Sequence, residues 1–500
     1  MRLDSILEGI DINKIYGDTG IEISDISIDS RTVKDGFLFA AIDGFKLDGH
    51  NFALDAVNNG AVAVISQKKL ELSSGIIQII VKDTRKALPQ ISTNFFGNPS
   101  KSLKIIGITG TNGKTTTCYL INSILKNAGF KTSIISTFKS YIDEREVYMD
   151  RTTPESLDLH RFFAESLEND VKYVCMEVSS HSIDLHRVDH IDFDYFVFTN
   201  LSQDHLDYHG TINEYFEVKS RLFDPSYRKI FGGRSAVINI DDDFGKKLYK
   251  MTNLDKVSYS IEDKSADIRA YGMKSAVSGI SMVLKRKNKE DVKIRSSLCG
   301  VFNIYNILAA VSTGFEIGIN KSHIIAGPES MKGFGGRFEK IDYGSGPTVI
   351  VDYAHTPDGL ENVLKTAKDI LDDGGRLLSV FGCGGDRDMK KRKLMGAIAA
   401  RIADFTIITS DNPRSERPED IIVMIEEGLK EEGSMDYKTI VDRKDAIHHA
   451  MDLANESDIV LVAGKGHEDY QEFENGRRIH LYDPEIVKNW RNENKGKNQN

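Results

Sequence analysis

Several features that define other classes of protein are scarce or missing in this sequence. Its 500 residues contain four cysteines, Cys118, Cys175, Cys299 and Cys383, and no two of them have metal-ligand spacing. We therefore expect reduced thiols rather than a disulfide framework. No run of 18 consecutive apolar residues occurs, so no membrane-spanning helix is expected. The first residues, "MRLDSILEGIDI", carry charges where a signal peptide needs an unbroken apolar segment, which favours a cytoplasmic protein.

A surplus of positive charge is also missing. The chain has 65 basic and 75 acidic residues, a formal net charge of −10, which argues against a dedicated nucleic-acid binder. What is present is an ordinary globular composition, with 40% hydrophobic and 28% charged residues. A chain of this length exceeds one hydrophobic core, so it predicts several domains.

Changes of pattern along the chain predict three α/β domains and a polar tail. Residues 1–100 alternate short apolar runs with helical segments and end in a Gly-Asn-Pro linker. Residues 101–335 repeat strand and helix around a mostly parallel sheet, with some antiparallel strands from about residue 232 to 300. Residues 336–490 alternate apolar runs with helices, which is typical of a doubly wound, Rossmann-like sheet. Residues 491–500 are polar and are predicted to be disordered.

A glycine-rich segment, "GITGTNGKTTT", lies between an apolar run and a helical pattern. Gly113, Lys114 and Thr115 match the end of the standard phosphate-binding loop, but the first glycine of that loop should be at residue 108, which is Ile108. In a phosphate-binding loop, backbone amides approach phosphate oxygens, the lysine reaches the β- and γ-phosphates, and the threonine binds Mg²⁺. The alternative is an ordinary glycine turn between a strand and a helix.

Polar residues also follow other predicted strands of the central domain. Glu177 could bind a metal ion or be a solvated turn residue, and His205 could be a ligand or a structural hydrogen-bonding group. Because the carboxyl ends of parallel strands share one edge of a sheet, these two residues together with Lys114 favour a nucleotide–metal site. Lys219 lies on a predicted helix, where it could pair with Glu217 or other acids, or bind phosphate. The residue types alone do not separate these roles.

Four predicted loops of the third domain concentrate Asp, Arg, His and Gly. Each could consist of ordinary turn residues, but four such loops at the carboxyl ends of successive strands indicate a ligand site. The loops are "DYAHTPD" (352–358), "GCGGDRD" (382–388), "SDNPRSE" (410–416) and "AGKGHED" (463–469).

These motifs, in this order, resemble those of the ATP-dependent Mur ligases of peptidoglycan synthesis, and most closely the type that adds the third residue of the stem peptide. In that family the glycine loop reads "TGTNGKTT", so the displaced glycines are the family's own form. The resemblance extends from residue 29 to residue 471. Further matches are "DSRTVKDGFLFAA", "TTP", "MEVSSH", "TNLSQDHLDYHGT", "GVFNIYNILAA", "VDYAHTPDGLENVL", "VFGCGGDRDMKKR", "DNPRSE" and "GKGHEDYQ".

The resemblance implies ATP and Mg²⁺ as cofactors and assigns residues to them. The implied catalytic residues are Lys114, Lys219, His205 and Glu177. The implied metal site is Thr115, Glu177, His205 and Lys219, the last as a carbamate, which turns a cation into a carboxylate. The residues implied to bind the nucleotide are Gly110, Thr111, Asn112, Gly113, Lys114, Thr115, Thr116, Asn303, Asn306, Arg337 and Asp352.

The resemblance also implies two further substrates. UDP-N-acetylmuramoyl-L-alanyl-D-glutamate would be bound by Ser30, Thr152, Thr153, Ser179 and Arg187. The family associates "DNPR" with meso-2,6-diaminopimelate, whose second carboxylate suits the fork of an arginine. This amino acid would be bound by Arg387, Asp411, Asn412, Arg414, Gly464 and Glu468.

The implied reaction joins these substrates through an acyl phosphate, in the cytoplasm and by a monomer. The alternative for Arg414 is that it only pairs with Glu416 or Asp411, and the alternative amino acid is L-lysine. A more distant reading is a folylpolyglutamate synthase-like ligase, but that type lacks the first domain and "DNPR". A non-catalytic, nucleotide-controlled binding module is disfavoured because the lysine, acid and histidine are all present.

The chain departs from the family's pattern at three places. Gly336 replaces a proline, which predicts a looser hinge before the third domain. Arg151 stands where an asparagine is common before "TTP", which puts one substrate hydrogen bond in doubt. "KRK" at 391–393 replaces the more usual "KRP". None of these changes removes a group that the chemistry needs.

Overall fold

The fold is described from a computed structural model that covers residues 1–44, 47–276, 278–287, 289–331, 335–344 and 346–495. The chain divides into two compact units. The first contains Met1–Ala270, Leu284–Val292 and Tyr305–Pro328, and the second contains Tyr271–Val283, Lys293–Ile304 and Glu329–Asn500.

The N-terminal segment folds around a five-stranded sheet of order β1-β5-β4-β3-β2. Only β1 is antiparallel to its neighbour, and the other pairs are parallel. The alternating apolar runs of the sequence form the buried strands, as predicted. The elements are α1 (Leu3–Ile6), β1 (Ile12–Tyr16), β2 (Ile26–Ser27), β3 (Phe37–Ala40), α2 (Ala53–Asn58), β4 (Ala61–Ser66), β5 (Ile77–Val81) and α3 (Thr84–Phe95).

The middle segment contains a second, mostly parallel sheet. At its centre β10 is buried throughout and β6 is buried except at Lys104, and the order from β13 runs β13-β12-β11-β6-β10-β7-β8-β9. The pairs β7–β8 and β8–β9 are antiparallel, whereas β11, β12, β13 and the start of β14 pair in parallel. The strands are β6 (Lys104–Thr109), β7 (Thr132–Ile135), β8 (Ser140–Ile142), β9 (Arg145–Val147), β10 (Tyr173–Glu177), β11 (Phe193–Phe198), β12 (Gly232–Asn239), β13 (Asp255–Ser260), β14 (Ile268–Ala276), β15 (Gly279–Arg286) and β16 (Val292–Ser296).

Helices cover this sheet, and α4 carries the glycine loop at its N-terminus. Its buried residues recur at helical spacing, and it ends before Gly129, which has φ +84° and supplies the left-handed cap expected from the sequence. The helices of the segment are α4 (Lys114–Asn127), α5 (Ser156–Glu168), α6 (Ser180–Asp184), α7 (Leu206–His209), α8 (Ile212–Ser220), α9 (Arg228–Phe231), α10 (Asp243–Met251), α11 (Val301–Ile317) and α12 (Lys321–Ser330).

The C-terminal segment has a six-stranded sheet of order β17-β18-β22-β19-β20-β21, in which every pair but β17–β18 is parallel. This confirms the predicted Rossmann-like alternation and completes a three-domain α/β fold. The elements are β17 (Glu339–Lys340), β18 (Thr348–Asp352), α13 (Pro357–Asp369), β19 (Leu377–Phe381), α14 (Lys390–Ile402), β20 (Phe405–Ile408), α15 (Pro418–Glu431), β21 (Tyr437–Thr439), α16 (Arg443–Leu453), β22 (Ile459–Ala463), β23 (Tyr470–Glu472), β24 (Arg478–His480) and α17 (Asp483–Lys495).

The sequence analysis also predicts a disordered C-terminal tail, reduced cysteines and no membrane-spanning helix. Helix α17 reaches Lys495 and so extends into the predicted tail, while residues 496–500 lie outside the described part. All four cysteines are buried, and none of them forms a disulfide within the described residues. Among the described helices, we find none with the length and apolar character needed to cross a bilayer.

Candidate active site

The glycine loop between β6 and α4 needs glycine at two positions for steric reasons. Gly110 has φ +146°, and a Cβ atom there would lie 1.9 Å from Thr199 Oγ1. Gly113 has φ +83°, and its Cβ would lie 2.2 Å from Asn306 Oδ1. Side chains at either position would therefore collide with neighbours in an already unfavourable backbone conformation. The loop is a tightly packed structure rather than a loose turn.

The two residues after β11 hold this loop in place. Thr111 N donates to Asn200 O at 2.8 Å, Asn112 N donates to Asn200 Oδ1 at 3.0 Å, and Thr199 Oγ1 donates to Asn112 O at 2.7 Å. These bonds occupy the amides of 111 and 112, so the groups suited to a phosphate are the amides in the first turn of α4. The sequence prediction missed Thr199 and Asn200, although both begin the "TNLSQDH" motif.

Two lysines converge on the loop. Lys114 Nζ donates to Gly110 O and Thr111 O, at 3.0 and 2.8 Å. Lys219 Nζ, from α8, donates to Thr109 Oγ1 at 3.3 Å and to Gly110 O at 3.1 Å. Lys219 is 1% exposed, so the alternative of a surface lysine paired with acids is wrong. Burial, and then the charge of Lys114, lower the pKa of Lys219 well below the ordinary value of a lysine.

The residues predicted to bind Mg²⁺ come from four places in the fold: Glu177 ends β10, Thr115 lies in α4, His205 precedes α7 and Lys219 lies in α8. Glu177 is buried, and its two carboxylate oxygens accept bonds from Thr137 N at 2.8 Å and Thr137 Oγ1 at 3.2 Å. Thr115 is buried in the first turn of α4. His205 precedes α7 with φ +54°, and its Nε2 lies 3.4 Å from Asp204 Oδ2.

This donor set fits Mg²⁺ when substrate oxygens complete it. Within the described residues, no three side chains of His, Cys, Asp or Glu are placed to hold a metal ion together. Mg²⁺ commonly binds through one or two carboxylates, water and substrate phosphates rather than in an all-protein cage. Glu177, the Thr115 hydroxyl and an oxygen-bearing group on Lys219 are therefore suitable ligands. His205 supplies an imidazole, which suits this ion less well.

Four of the residues predicted to bind the UDP-linked substrate lie together beside Glu177. Thr153 Oγ1 donates to Glu177 O at 2.9 Å and receives a bond from Ser179 N at 3.1 Å. Arg187 Nη1 donates to Thr153 O at 3.2 Å. Thr152 Oγ1 lies 3.0 Å from Thr137 Oγ1, which also contacts Glu177. The structure thus connects this part of the predicted substrate site to the predicted metal site.

Ser30 and the remaining nucleotide residues lie in separate parts of the fold. Ser30 is buried at the start of a short 3₁₀ helix that Asp29 caps. Asn306 belongs to the first compact unit, where Thr117 Oγ1 lies 3.4 Å from its Oδ1. Asn303 belongs to the second unit, where its Nδ2 donates to Cys299 O at 2.7 Å.

Arg337 and Asp352 are neighbours in the second compact unit. Asp352 Oδ2 accepts from Phe338 N at 2.6 Å, and Oδ1 accepts from Ala354 N at 2.7 Å. Burial raises the pKa of Asp352, and the charge of Arg337 partly opposes that rise. Arg337 lies over the Tyr353 ring at 4.8 Å, and its buried Nε has no hydrogen-bond partner in the described part of the chain. These two side chains therefore offer a ligand one cation, from Arg337, and one carboxylate, from Asp352, that two backbone amides hold in place.

Two arginines of the predicted amino-acid site flank Gly384. A Cβ at Gly384 would lie 3.0 Å from Arg414 Nη1 and 3.8 Å from Arg387 Cγ. Arg414 Nη1 donates to Gly385 O at 2.8 Å, and its Nε donates to Glu472 Oε2 at 3.2 Å. The alternative partners for Arg414, Glu416 and Asp411, are therefore wrong. Arg392 pairs with Glu416 instead.

The acids of the same site lie on the neighbouring loops. Glu468 Oε2 accepts from Asn412 Nδ2 and from Lys465 Nζ, both at 3.0 Å. Lys465 is fully buried and also donates to Asn412 Oδ1 at 3.1 Å. Asp411 Oδ2 is buried without a hydrogen-bond partner among the described residues. A Cβ at Gly464 would lie 2.7 Å from this oxygen, so the glycine leaves space in front of it.

Lys465 and Glu472 were missed by the sequence prediction. Lys465 holds both Asn412 and Glu468 through hydrogen bonds. Glu472 orients Arg414 with its carboxylate, and the backbone amide of Glu472 donates to Asn412 Oδ1 at 2.9 Å. Both residues lie in or just after the "AGKGHED" loop, which was the available signal. The site contains both arginines and acids, which are the groups that an amino acid with two carboxylates and two ammonium groups requires.

These features define a three-domain α/β enzyme whose central sheet presents a glycine loop, two lysines and an acid. Three family models match the chain in order. Residues 22–96 match "Mur ligase family, catalytic domain", residues 108–314 match "Mur ligase middle domain", and residues 336–466 match "Mur ligase, glutamate ligase domain". The chain belongs to the Mur ligase family and is an ATP-dependent ligase.

Curated relatives match nearly the whole chain. The UDP-N-acetylmuramoyl-L-alanyl-D-glutamate–2,6-diaminopimelate ligase of Syntrophomonas wolfei is 45% identical over 94% of this chain and 95% of its own. The ligase of the same name from Clostridioides difficile is 42% identical over 98% of this chain and 99% of its own.

Solved structures show the same fold. A structure of a UDP-N-acetylmuramoyl-L-alanyl-D-glutamate–2,6-diaminopimelate ligase superimposes with a TM-score of 0.70 at 31% identity, covering 99% of both chains. A folylpolyglutamate synthase of Mycobacterium tuberculosis reaches a TM-score of 0.60 at 19% identity, over 76% of this chain and 92% of its own. At that identity the second likeness concerns the fold alone.

Proposed function

We propose that the chain joins meso-2,6-diaminopimelate to UDP-N-acetylmuramoyl-L-alanyl-D-glutamate, with conversion of ATP to ADP and phosphate. The amino-acid site carries this proposal. Arg387 and Arg414 supply two cations beside Gly384, while Asp411 and Glu468 supply two acids. Diaminopimelate has two carboxylates and two ammonium groups, whereas L-lysine lacks the second carboxylate. The names of the relatives that match the full length support the same substrates.

The reaction proceeds in two steps. An oxygen of the D-glutamate γ-carboxylate attacks the γ-phosphorus of ATP, the bond to the β-phosphate oxygen breaks, and ADP leaves. The amine of diaminopimelate then attacks the acyl carbon, phosphate leaves with the bonding electrons, and the new amide nitrogen loses a proton. Phosphorylation is needed because a carboxylate is a poor electrophile.

The residues of this chain bring two anions together in the first step. Lys114 lies at the glycine loop, where it can turn from the carbonyls of Gly110 and Thr111 to the β- and γ-phosphates. The first-turn amides of α4 add donors for the phosphate oxygens. Together they offset the repulsion and spread the charge that develops on the transferred phosphoryl group.

Thr115 and Glu177 are the groups that would hold Mg²⁺. His205 is a further side chain that the resemblance assigns to the metal site. When bound, the ion neutralises phosphate charge and polarises the γ-phosphoryl group. Lys219 would contribute as a carbamate, because its buried amine has a lowered pKa and an unprotonated amine can add CO₂. The product carries a negative charge opposite Lys114, to which it is attracted.

We place the enzyme in the cytoplasm, where ATP and UDP-linked substrates are available, and we propose that it acts as a monomer. The net charge of −10 supports a protein without a nucleic-acid partner. We also propose that the domain boundaries lie between residues 100 and 101 and between residues 335 and 336.

Phosphate release tests the proposed function. Purified enzyme is mixed with ATP, Mg²⁺ and UDP-N-acetylmuramoyl-L-alanyl-D-glutamate, and each candidate amino acid is added in turn. We expect phosphate release that depends on both substrates, and a higher kcat/KM with meso-diaminopimelate than with L-lysine. Release that needs a folate substrate instead, or no release with any amino acid, would contradict the proposal.

A further inference from the structure

Three arginine side chains converge on one carboxylate in the first compact unit. Glu155, the residue before α5, has 9% of its surface exposed. Its Oε1 pairs with Arg151 and lies 2.9 Å from Arg187 Nε, and its Oε2 lies 3.8 Å from Arg85 Nη1. Arg85 comes from α3 of the N-terminal sheet, and Arg187 follows α6. Segments far apart in sequence therefore build one cationic cluster.

The cluster keeps a guanidinium donor that the acids around it do not satisfy. Asp150, which is exposed to solvent, lies near Arg187, and Asp158 lies near Arg151. Arg85 Nη1 is buried and makes no hydrogen bond within the described residues, because Glu155 Oε2 lies 3.8 Å from it. Buried donors of this kind are costly unless a ligand supplies acceptors. The cluster therefore offers a buried guanidinium donor to an anionic oxygen group.

The cluster lies beside the predicted peptide end of the UDP-linked substrate. Arg187 Nη1 donates to Thr153 O at 3.2 Å, and Thr153 Oγ1 donates to Glu177 O at 2.9 Å. Glu177 belongs to the predicted metal site, where the γ-carboxylate reacts. D-Glutamate carries its α-carboxylate only a few bonds from that reacting group. A planar guanidinium fork binds such a carboxylate through two parallel hydrogen bonds.

We propose that Arg85 and Arg151 join Arg187 in binding the α-carboxylate of D-glutamate, the carboxylate that does not react. The inference rests on the proposed function. Arg151 stands where the family commonly has an asparagine, so this chain adds a charge to that position rather than simply losing a hydrogen bond. The bound carboxylate supplies the acceptor that Glu155 does not supply to Arg85 Nη1.

Binding without ATP tests the inference independently of turnover. Calorimetry compares UDP-N-acetylmuramoyl-L-alanyl-D-glutamate with UDP-N-acetylmuramoyl-L-alanine, which lacks the D-glutamate. We expect Arg85→Gln and Arg151→Gln each to weaken binding of the longer ligand about ten-fold or more, with little change for the shorter one. Arg145→Gln is the matched control, because Arg145 forms an exposed pair with Glu165 in the same unit.

Three other outcomes would contradict the inference. Equal loss for both ligands would show that the cluster binds the pyrophosphate, and no loss would show that it is structural, so either result would overturn the inference. Wild-type protein that binds neither ligand would overturn the proposed function and the inference with it. Arg85→Lys, which keeps the charge but not the planar fork, should retain part of the affinity and covers the case in which Arg85→Gln fails to fold.

Discussion

Lys114 and Lys219 donate hydrogen bonds to the same acceptor, the carbonyl oxygen of Gly110, at 3.0 and 3.1 Å. Two ammonium groups at one oxygen would repel each other strongly in a buried site. The arrangement is stable because burial and Lys114 lower the pKa of Lys219, so that its amine is readily unprotonated. An unprotonated amine is also the form that adds CO₂, and the resulting carbamate would be attracted to the ammonium of Lys114.

The first prediction concerns this modification. Lys219→Ala should lose ligation, and short carboxylates such as acetate should restore part of the activity by replacing the carbamate. In wild-type enzyme supplied with ¹³C-bicarbonate, NMR should detect a carbamate carbon. Lys131→Ala, which alters an exposed lysine paired with Asp170, is the control and should respond to neither treatment. Full activity of Lys219→Ala without added carboxylate would refute the carbamate.

The second prediction concerns stability in CO₂-free buffer. Because the pKa of Lys219 is lower in the folded state than in the unfolded state, the unfolded state binds more protons between the two values. The free energy of unfolding should therefore rise with pH across that window, up to about pH 10.4. Lys219→Met should be more stable than wild type at neutral pH, and the difference should shrink as pH rises. Urea denaturation of both proteins measures it, and a difference independent of pH would count against a depressed pKa.

The third prediction separates steric fit from backbone strain in the glycine loop. Gly113 and Gly129 have nearly equal φ angles, +83° and +84°, but only Gly113 has a neighbour, Asn306 Oδ1, at 2.2 Å from an added Cβ. Gly129→Ala should cost only the left-handed strain, about 1–2 kcal/mol of unfolding free energy, and should keep its activity. Gly113→Ala should lose ATP binding as well. Equal ATP affinity in the two variants, measured by calorimetry, would contradict the loop assignment.

The fourth prediction concerns the choice of amino acid. Arg414→Ala should lower kcat/KM for meso-diaminopimelate roughly 100-fold, because a charged group of the substrate loses its partner, and should lower any L-lysine activity much less. Arg401→Ala, which removes an exposed arginine paired with Glu432, provides the comparison. Steady-state kinetics of both variants and wild type give kcat/KM for each amino acid. A wild-type preference for L-lysine would overturn this assignment.

The fifth prediction concerns the buried ion pair of Arg443 and Asp483, whose side chains are both fully buried. Asp483→Asn should destabilise the protein by about 3–5 kcal/mol, because it leaves a buried cation without its counter-charge. Glu432→Gln, at an exposed pair, should change stability by less than about 1 kcal/mol. Chemical denaturation compares the two, and similar small effects would mean that water reaches Arg443.

The sequence predicts well those features that depend on nearby residues. The period of the apolar runs identifies the strands and helices, and the glycine after α4 identifies its end because only a left-handed cap needs glycine there. Polar residues after successive strands meet at one edge because parallel strands place their carboxyl ends together. This rule predicts that Glu177 and the four polar loops of the third domain lie at the carboxyl ends of their strands.

Features that depend on distant residues were not predictable in this way. The environment of Lys219 depends on contacts with Thr109 and Gly110, more than a hundred residues away, so helical spacing could not distinguish a buried from an exposed lysine. Glu472 contacts Arg414 through a hairpin whose register no local pattern sets. From local sequence alone, charged residues of this kind cannot be distinguished from exposed surface residues, because their partners are distant in the chain.

The burial of all four cysteines gives the protein an internal set of reporters. Burial raises the pKa values of Cys118, Cys175, Cys299 and Cys383, so each thiol is both shielded and poor in the reactive thiolate. Alkylating reagents should therefore label the native protein slowly, and labelling at each cysteine should follow local opening of the chain around it. Peptide mapping after timed alkylation would then rank the stability of the surrounding segments without any introduced label.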